Sequence, residues 1–293
     1  MKLAITIPAY NEEKTIGILI REIRKVMDKE NYSYKIVVVD DGSSDNTADA
    51  ARKAGATVHS HPKNYGLAET FRTELEVCLE LNADIIVHID ADSQYLPKEI
   101  PKIVKEIDKG SDLVLGSRFL GTIEHMPLSK RIGNIAFSHV VSQVSGIKIS
   151  DAQTGFRAFT REVAEKITIT SNHTYTQEQI IRAVRLKLKI KEVPIHFARR
   201  DGKSRLISNV FGYALRAGIN IVRLYRDYEP LKFFGIVGSF IFGVGFVIGT
   251  YLVYLHFTSG ILGHFALMML DILTLSIGLQ IIIFGFIADM NRK

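Results

Sequence analysis

The sequence Ile85-Ile-Val-His-Ile89-Asp90-Ala-Asp92-Ser-Gln94 joins a short apolar run to two carboxylates that are spaced two residues apart. The apolar run predicts a buried strand, so the polar residues lie where that strand ends. Side chains at positions i and i+2 of an extended segment point to the same side, which places Asp90 and Asp92 together and adds Gln94 as a further oxygen donor. Such a set suits Mg²⁺ or Mn²⁺ that carries a diphosphate group. A solvated turn is the alternative for this pattern taken alone.

Before this stretch, short β-branched runs alternate with amphipathic helical stretches. This alternation predicts an α/β fold with a mostly parallel sheet and helices on both faces. In such sheets ligands bind beyond the carboxyl ends of the strands. The predicted order is strand Leu3–Ile7, helix Thr15–Met27, strand Ile36–Val39, helix Asp45–Ala54, strand Thr57–His59, helix Leu67–Leu81 and strand Ile85–Ile89.

Polar segments follow three of these strands. Pro8-Ala-Tyr10-Asn-Glu12 follows the first strand, and Asp40-Asp41-Gly42-Ser43 follows the second. The carboxylates of Asp40 and Asp41 can accept hydrogen bonds from ribose hydroxyls or base N–H groups, and Gly42 permits close approach of the backbone. Asp45 is interpreted as a helix N-cap. The candidate binding residues therefore collect at one edge of the predicted sheet.

The C-terminal part of the chain has a different composition. The segment from Phe233 to Phe257 contains no Asp, Glu, Lys or Arg, and the segment from Ile261 to Ala288 contains only Asp271. Both exceed the roughly 20 apolar residues that span a bilayer. We expect two transmembrane helices, at about 232–257 and 261–288, joined by a tight turn at residues 258–260. A buried hairpin in a soluble protein is the alternative.

Positive charge precedes the first span. Between Arg185 and Arg226 the chain carries a cluster of Lys and Arg against only Glu192 and Asp201. Such a cluster attracts anionic headgroups, and the first 180 residues lack the aromatic stacking array of a nucleic-acid-binding protein. The stretch from Ile207 to Arg226 has helical periodicity, and it is interpreted as an amphipathic interface helix, with an ordinary packing helix as the alternative.

These patterns predict a multi-pass protein of the cell membrane with three parts: residues 1–206 as a cytosolic catalytic domain, 207–230 as an interface helix and linker, and 231–293 as the two spans. The N-terminal apolar run is too short for a signal peptide, and a single Cys78 fits a reducing compartment. An even number of spans and the positive-inside tendency put both termini in the cytoplasm. Glycines in the first span permit helix association into a homo-oligomer. They are Gly238, Gly243, Gly245 and Gly249.

Taken in order, the polar segments resemble family-2 glycosyltransferases of the GT-A fold. The matching segments are Pro8–Glu12, Asp40–Ser43, Lys63-Asn-Tyr-Gly66 and Asp90–Gln94. Three further segments are similar, more narrowly, to polyprenyl-phosphate glycosyltransferases such as dolichol-phosphate mannose synthases. These are Gly116-Ser-Arg118, Asp151-Ala-Gln-Thr-Gly-Phe-Arg157 and Arg199-Arg-Asp-Gly-Lys-Ser-Arg205. The resemblance covers roughly residues 3 to 226.

The resemblance implies roles for individual residues. The nucleotide would contact Pro8, Tyr10, Glu12, Asp40, Asp41 and Lys63, and the metal would be held by Asp90, Asp92 and Gln94. The catalytic set would be Asp92, Arg118, Arg131 and Arg200. The acceptor phosphate would be bound by Ser117, Arg118, Arg131, Arg200, Ser204 and Arg205. Many relatives have Ser-Lys where this chain has Ser204-Arg205, so that site would keep its charge with a different geometry.

Chemistry supports a phosphate acceptor. A polyprenyl phosphate is already an anionic nucleophile, so no general base has to create one. The remaining task is to neutralise two phosphate groups, for which the planar fork of arginine is suited. The expected reaction moves a hexose from a nucleotide-sugar to dolichyl or polyprenyl phosphate with inversion at C1. GDP-mannose is favoured slightly over UDP-glucose and UDP-N-acetylhexosamine as the donor.

Two other functions remain open at this point. A processive polysaccharide synthase would carry Gln-x-x-Arg-Trp, but the chain has no Trp, and Gln179-Ile-Ile-Arg182-Ala183 lacks the ring. A non-enzymatic scaffold that binds nucleotide-sugar is the other alternative, although degenerate domains of this kind usually lose the metal carboxylates. Glu178 is interpreted as a positioning carboxylate or a helix-start residue. Asp271 is costly in lipid and is assigned no chemistry.

Overall fold

The computed structural model describes residues 1–171, 175–199, 210–259 and 264–291. Its internal contacts divide the chain into two compact units, Met1–Val210 and Phe211–Lys293. The predicted acceptor residues Arg200, Ser204 and Arg205 lie outside the described residues.

The first unit alternates strands and helices as the sequence predicts, and the elements predicted between Leu3 and Ile89 agree with the observed bounds to within three residues. A short 3₁₀ turn at Pro97–Glu99 precedes the fourth helix. The elements are β1 (Lys2–Ala9), α1 (Ile16–Met27), β2 (Ser33–Asp40), α2 (Thr47–Lys53), β3 (Thr57–Ser60), α3 (Leu67–Glu80), β4 (Ile85–His88), α4 (Ile100–Asp108), β5 (Leu113–Ile123), α5 (Leu128–Ser145), β6 (Arg157–Thr160), α6 (Arg161–Lys166), α7 (Thr176–Arg185) and β7 (Ile190–Phe197).

The strands form one seven-stranded sheet in the order β3-β2-β1-β4-β6-β5-β7. Strands β3, β2, β1 and β4 are mutually parallel, and β5 is parallel to β7. Strand β6 is antiparallel to both of its neighbours, β4 and β5. The mostly parallel sheet with helices is therefore confirmed. Because β2 and β4 lie on opposite sides of β1, the strand order reverses at β1, and open α/β sheets bind their ligands in a crevice at the carboxyl ends of such strands.

Apolar periodicity explains why the helices pack on this sheet. In α1 the residues Ile16, Leu19, Ile20 and Ile23 recur every three or four positions, and all are fully buried. They share one core with the strand residues Ile5, Ile7, Val38 and Val87. Burying one such side chain stabilises the fold by about 1.5 to 3 kcal/mol. The helices thus hold the strand ends, and the loops that follow them, in fixed positions.

The second unit contains two long apolar helices. Helix α8 spans Val210–Tyr228, α9 spans Pro230–Ser259 and α10 spans Phe265–Met290. Helices α9 and α10 have mean hydropathies of 2.1 and 2.2, and by length and composition each can cross a membrane. Thr258 and Ser259, which were predicted to lie in the turn, belong to α9 in the structure. Gly260, the third residue of that turn, lies outside the described residues.

Glycines let α9 and α10 pack closely. A Cβ added to Gly238 would lie 2.7 Å from the carbonyl oxygen of Gly278, and one added to Gly245 would lie 2.9 Å from Leu275. A Cβ at Gly249 would lie 3.2 Å from the carboxylate of Asp271. Three of the four glycines that the sequence marked for oligomer contacts are therefore used within one chain.

Candidate functional site

The loops after β1 and β2 are tied together by hydrogen bonds. The N–H of Asn11 donates to Ser43 Oγ at 2.8 Å, the N–H of Glu12 donates to Thr47 Oγ1 at 2.8 Å, and the N–H of Ser44 donates to Asn11 Oδ1 at 2.8 Å. Asn11 has a left-handed backbone with φ of 55°. Strained residues of this kind concentrate at functional sites. The predicted nucleotide segments are thus brought side by side.

Three predicted nucleotide residues lie at the end of β1 and in the loop that follows it. Pro8 and Glu12 are half-buried, whereas the ring of Tyr10 is exposed. The carboxylate of Glu12 accepts a hydrogen bond from Thr15 Oγ1 at 2.9 Å. This bond and the bond from the Glu12 backbone to α2 fix the start of α1 at the sheet edge. A flat exposed ring beside fixed carboxylates offers a surface on which a base can stack.

The two carboxylates at the end of β2 are buried and differ in their bonding. Asp40 accepts a hydrogen bond from the N–H of Ser43 at 3.2 Å. Asp41 accepts from the N–H groups of Tyr65 and Gly66 at 2.9 Å each, and it contacts His61 Nδ1 at 2.8 Å. Asp41 therefore fixes the loop that carries the predicted residue Lys63.

The loop around Lys63 also depends on a glycine. Gly42 has φ of 68°, and a Cβ there would lie 2.4 Å from the backbone of Lys63, so no other residue fits without a shift of the backbone. Lys63 is exposed, and its Nζ lies 5.6 Å from the centre of the Tyr65 ring. A cation thus stands at the rim of the site, where it can meet a phosphate.

The predicted metal ligands follow β4 on a tight turn in which Ser93 has φ of 60°. The N–H of Gln94 donates to Asp92 Oδ1 at 3.2 Å, and Gln94 Nε2 donates to the carbonyl oxygen of Ala198 at 3.3 Å. Asp90 is about one-third exposed. It lies against Gly155, where a Cβ would come within 2.3 Å of its Oδ2 atom. A side chain at position 155 would collide with the Asp90 carboxylate, so only glycine fits there without a shift of Asp90.

Two residues behind Asp90 form a buried pair that the sequence interpretation missed. His88 Nδ1 lies 2.6 Å from Glu74 Oε2, and His88 Nε2 lies 3.6 Å from Asp90 Oδ1. Burial alone lowers the pKa of His88, but the charge of Glu74 and the adjoining carboxylates raise it to about 9. The imidazole thus stands between two carboxylates. A histidine inside an apolar strand was the available signal.

The predicted acceptor residues on β5 are buried. Arg118 donates to Asp151 from its backbone N–H at 3.0 Å, from Nε at 2.7 Å and from Nη2 at 2.8 Å. Ser117 Oγ lies 2.6 Å from Ser150 Oγ. Two of the three guanidinium nitrogens of Arg118, Nε and Nη2, thus donate to Asp151, and Nη1 takes no part in these bonds. Arg131 is exposed on α5.

Glu178, at the start of α7, anchors the segment before it. Its carboxylate accepts from the N–H groups of Thr170 and Ser171 and from the guanidinium of Arg182, at 2.8 to 3.0 Å. Burial by itself raises the pKa of Glu178, but these hydrogen bonds hold it below the usual value. The carboxylate is thus committed to positioning this segment.

Comparisons with known proteins agree with this architecture. The model of Glycosyl transferase family 2 matches residues 4–168. A dolichyl-phosphate hexose transferase of Haloferax volcanii is 35% identical over 223 residues, which are 76% of this chain and 93% of that protein. A UDP-N-acetylglucosamine–dolichyl-phosphate N-acetylglucosaminyltransferase of Methanococcus voltae is 32% identical over 215 residues, which are 65% of this chain and 83% of that protein.

A solved structure has the same fold. Glucosyl-3-phosphoglycerate synthase from Mycobacterium tuberculosis, in complex with Mn²⁺ and uridine-diphosphate-glucose, superposes with a TM-score of 0.59 at 20% identity. The match covers 76% of this chain and 78% of that one. At this identity the likeness concerns the fold.

Proposed function

This chain belongs to glycosyl transferase family 2, and from that premise we propose that it transfers a hexose from a nucleotide-sugar to dolichyl or polyprenyl phosphate. The observation that carries the proposal is the position of Asp90 and Asp92 at the carboxyl end of β4, beside the cross-bonded loops that follow β1 and β2. Ligands of open α/β sheets bind at such a reversal of strand order. The two dolichyl-phosphate relatives support the choice of acceptor.

We assign the donor to the surface formed by Tyr10, Glu12, Asp40 and Lys63. Tyr10 and Lys63 are exposed at the crevice, while Asp41 acts by holding the loop that carries Lys63. The expected preference for GDP-mannose has no support from the relatives, one of which is named for a hexose and the other for UDP-N-acetylglucosamine. GDP-mannose, UDP-glucose and UDP-N-acetylglucosamine are therefore the donors to compare.

Asp90, Asp92 and Gln94 fit a divalent cation. No group of three or more His, Cys, Asp and Glu side chains among the described residues forms a complete cage. Mg²⁺ sites that serve phosphates need only one or two carboxylates, because waters and phosphate oxygens fill the other positions. The Asp90 carboxylate is about one-third exposed, and Gly155 has no side chain that would occupy the space beside it. A cation bound there would neutralise the charge that develops on the leaving diphosphate.

We propose that the lipid phosphate attacks C1 opposite the leaving diphosphate, giving a β-linked glycosyl phosphate from an α-linked donor. Glu178 is held by its hydrogen bonds, which agrees with a reaction that needs no protein base. Arg131 is exposed on α5, and we assign it to the incoming phosphate. The charge of Arg118 is offset by its forked pair with Asp151, so we assign its contact with the phosphate to Nη1 alone. Arg200, Ser204 and Arg205 stay predictions for the same phosphate.

We further propose that the hairpin of α9 and α10 anchors the protein in the membrane with the catalytic unit on the cytosolic side. The basic stretch from Arg185 to Arg226 comes just before the first span, and positive residues stay on the cytosolic side of a membrane. The same charges attract anionic headgroups. This arrangement puts the catalytic unit on the leaflet where a polyprenyl phosphate presents its headgroup.

A donor panel tests the function. The full chain in detergent receives dolichyl phosphate, Mn²⁺ or Mg²⁺ and one labelled donor, and sugar in the lipid phase is scored. We expect metal-dependent product from one donor, and a loss of about a hundredfold or more in Asp90→Asn and Asp92→Asn. The exposed Asp49→Asn is the control. Nucleotide release without lipid product would favour a polymer synthase, and unchanged turnover in Asp90→Asn would refute the metal role.

A further inference from the structure

Four buried polar side chains beneath Asp90 have an unpaired atom. The described part of the chain contains six buried side-chain nitrogen or oxygen atoms without a hydrogen-bond partner, and four belong to this cluster. They are Glu74 Oε1, His88 Nε2, Arg157 Nε and Tyr175 OH. All four residues are at most 1% exposed. We call them the buried polar cluster.

The cluster is one connected group. Glu74 and His88 are in contact at 2.6 Å. The His88 and Tyr175 rings are edge-to-face at 5.0 Å, and the guanidinium carbon of Arg157 lies 5.1 Å from the centre of the Tyr175 ring. Phe71, itself fully buried, stacks on Tyr175 at 3.8 Å. The group is therefore packed against an aromatic ring that offers no hydrogen-bonding side-chain atom.

Unpaired buried polar atoms are expensive. Leaving one buried donor or acceptor without a partner costs about 1 to 3 kcal/mol, and each such atom in a native protein calls for an explanation. Leucine at position 74 and phenylalanine at position 88 would fill the same space without that cost. Packing alone thus does not account for Glu74 and His88.

Geometry gives the explanation. His88 and Asp90 are two residues apart at the end of β4, so their side chains leave the strand on the same side. The unpaired Nε2 of His88 lies 3.6 Å from Asp90 Oδ1, which is just beyond hydrogen-bond length. The nitrogen is therefore aimed at the carboxylate that is proposed to hold the metal. An N–H group at Nε2 can donate a hydrogen bond to that carboxylate.

We propose that Glu74 and His88 are positioning residues that orient the Asp90 carboxylate for the divalent cation and so set the affinity for it. This inference rests on the proposed metal role of Asp90. Glu74 fixes the ring of His88 through Nδ1, and His88 fixes Asp90 through Nε2. Groups that hold a metal ligand in place commonly change metal affinity by about 10-fold to 100-fold when they are removed.

Mn²⁺ binding tests the inference without reference to turnover. Full-length protein in detergent is titrated with Mn²⁺ in the presence of UDP or GDP, and free Mn²⁺ is measured by electron paramagnetic resonance. We expect the Kd to rise by about 10-fold to 100-fold in His88→Phe and in Glu74→Leu/His88→Phe. His88→Gln, which keeps an N–H near the Nε2 position, should bind within about threefold of the unsubstituted protein.

Matched variants separate positioning from packing. Phe159→Leu changes a buried ring that contacts Phe71 but has no polar link to Asp90, so its Mn²⁺ affinity should be unchanged. Glu74→Gln keeps the shape of the side chain and an acceptor for His88, which guards against loss of folding, and it should weaken binding by several-fold. Thermal unfolding without metal identifies any variant that fails to fold.

The outcomes distinguish this inference from the function on which it rests. If Asp90→Asn binds Mn²⁺ as tightly as the unsubstituted protein, the proposed metal site is wrong. If Asp90→Asn loses Mn²⁺ but folded His88→Phe and Glu74→Gln keep full affinity, the positioning role is overturned and the metal site stands. A loss in His88→Gln as large as that in His88→Phe would also contradict the role given to Nε2.

Discussion

Strands β4 and β5 each hold a buried charged pair, and the two pairs are bonded to different degrees. Arg118 on β5 donates three hydrogen bonds to Asp151. His88 on β4 makes one contact with Glu74 and keeps its second nitrogen unpaired. The first pair is complete within the protein. The second leaves His88 Nε2 without a hydrogen bond, 3.6 Å from Asp90 Oδ1, so two buried pairs differ in how fully the protein satisfies them.

The largest effect should follow from breaking the complete pair. Asp151→Ala leaves the Arg118 guanidinium buried without its carboxylate, so we expect the free energy of unfolding to fall by about 3 to 5 kcal/mol. The melting temperature should fall by about 6 to 20 °C. Circular dichroism of the full chain in detergent measures this change.

Asp49→Ala is the matched control for that experiment. Asp49 pairs with Arg52 at 2.9 Å on an exposed face of α2. Its loss should change the free energy of unfolding by less than about 0.5 kcal/mol. Equal changes in the free energy of unfolding of the two variants would mean that burial and bidentate geometry do not make the Arg118–Asp151 pair more stabilising than an exposed pair.

A smaller effect should come from Glu178, whose carboxylate accepts several hydrogen bonds. Glu178→Gln removes the charge from these bonds, so we expect a loss of about 1.5 to 3 kcal/mol near neutral pH. Because the pKa of Glu178 in the folded protein is lowered from 4.5, its stabilisation is present above pH 4.5. It disappears as the pH falls through the lowered pKa, where the two melting curves should converge.

Glu165→Gln serves as the comparison for Glu178. Glu165 pairs with Arg161 on the exposed face of α6. Its substitution should change the melting temperature by only a degree or two at any pH, which corresponds to about 0.5 kcal/mol. A gap between Glu178→Gln and the unsubstituted protein that widens as the pH falls below 4.5 would contradict the lowered pKa of Glu178.

Much of the fold was predictable because the local periodicity of apolar residues indicates where most of the early strands and helices lie. The strands and helices up to β4 follow from apolar runs and helical spacing, and the family is confirmed by the match over residues 4–168. The antiparallel strand β6 was not predicted. It has four residues, Arg157–Thr160, and its place between β4 and β5 depends on contacts that are distant in sequence.

The residues of the candidate site could be proposed from the sequence only where they lie close together in one segment. Asp90, Asp92 and Gln94 lie on a single turn, and their roles stay predictions. Partners from other elements could not be found in this way. Asp151 reaches Arg118 across 33 positions, and Glu74 reaches His88 across 14, from a helix face whose direction depends on packing. Sequence spacing does not encode such pairs.

The smallest effect on stability should come from removing the incomplete pair. In Glu74→Leu/His88→Phe both polar side chains are replaced by apolar ones, so no charge is left alone in the core. Replacing a buried pair in this way is often neutral or stabilising. We therefore expect a free energy of unfolding, measured without metal, that is within about 1 kcal/mol of the original value or above it.

The single variant His88→Phe sharpens this prediction. It leaves Glu74 buried without its partner, so it should be less stable than the double variant, although both lack the same imidazole. A double variant that is as stable as the original protein but binds Mn²⁺ more weakly would show that Glu74 and His88 orient Asp90 and do not stabilise the fold. If the double variant instead unfolds as readily as Asp151→Ala, Glu74 and His88 hold the fold together, and the contrast between β4 and β5 disappears.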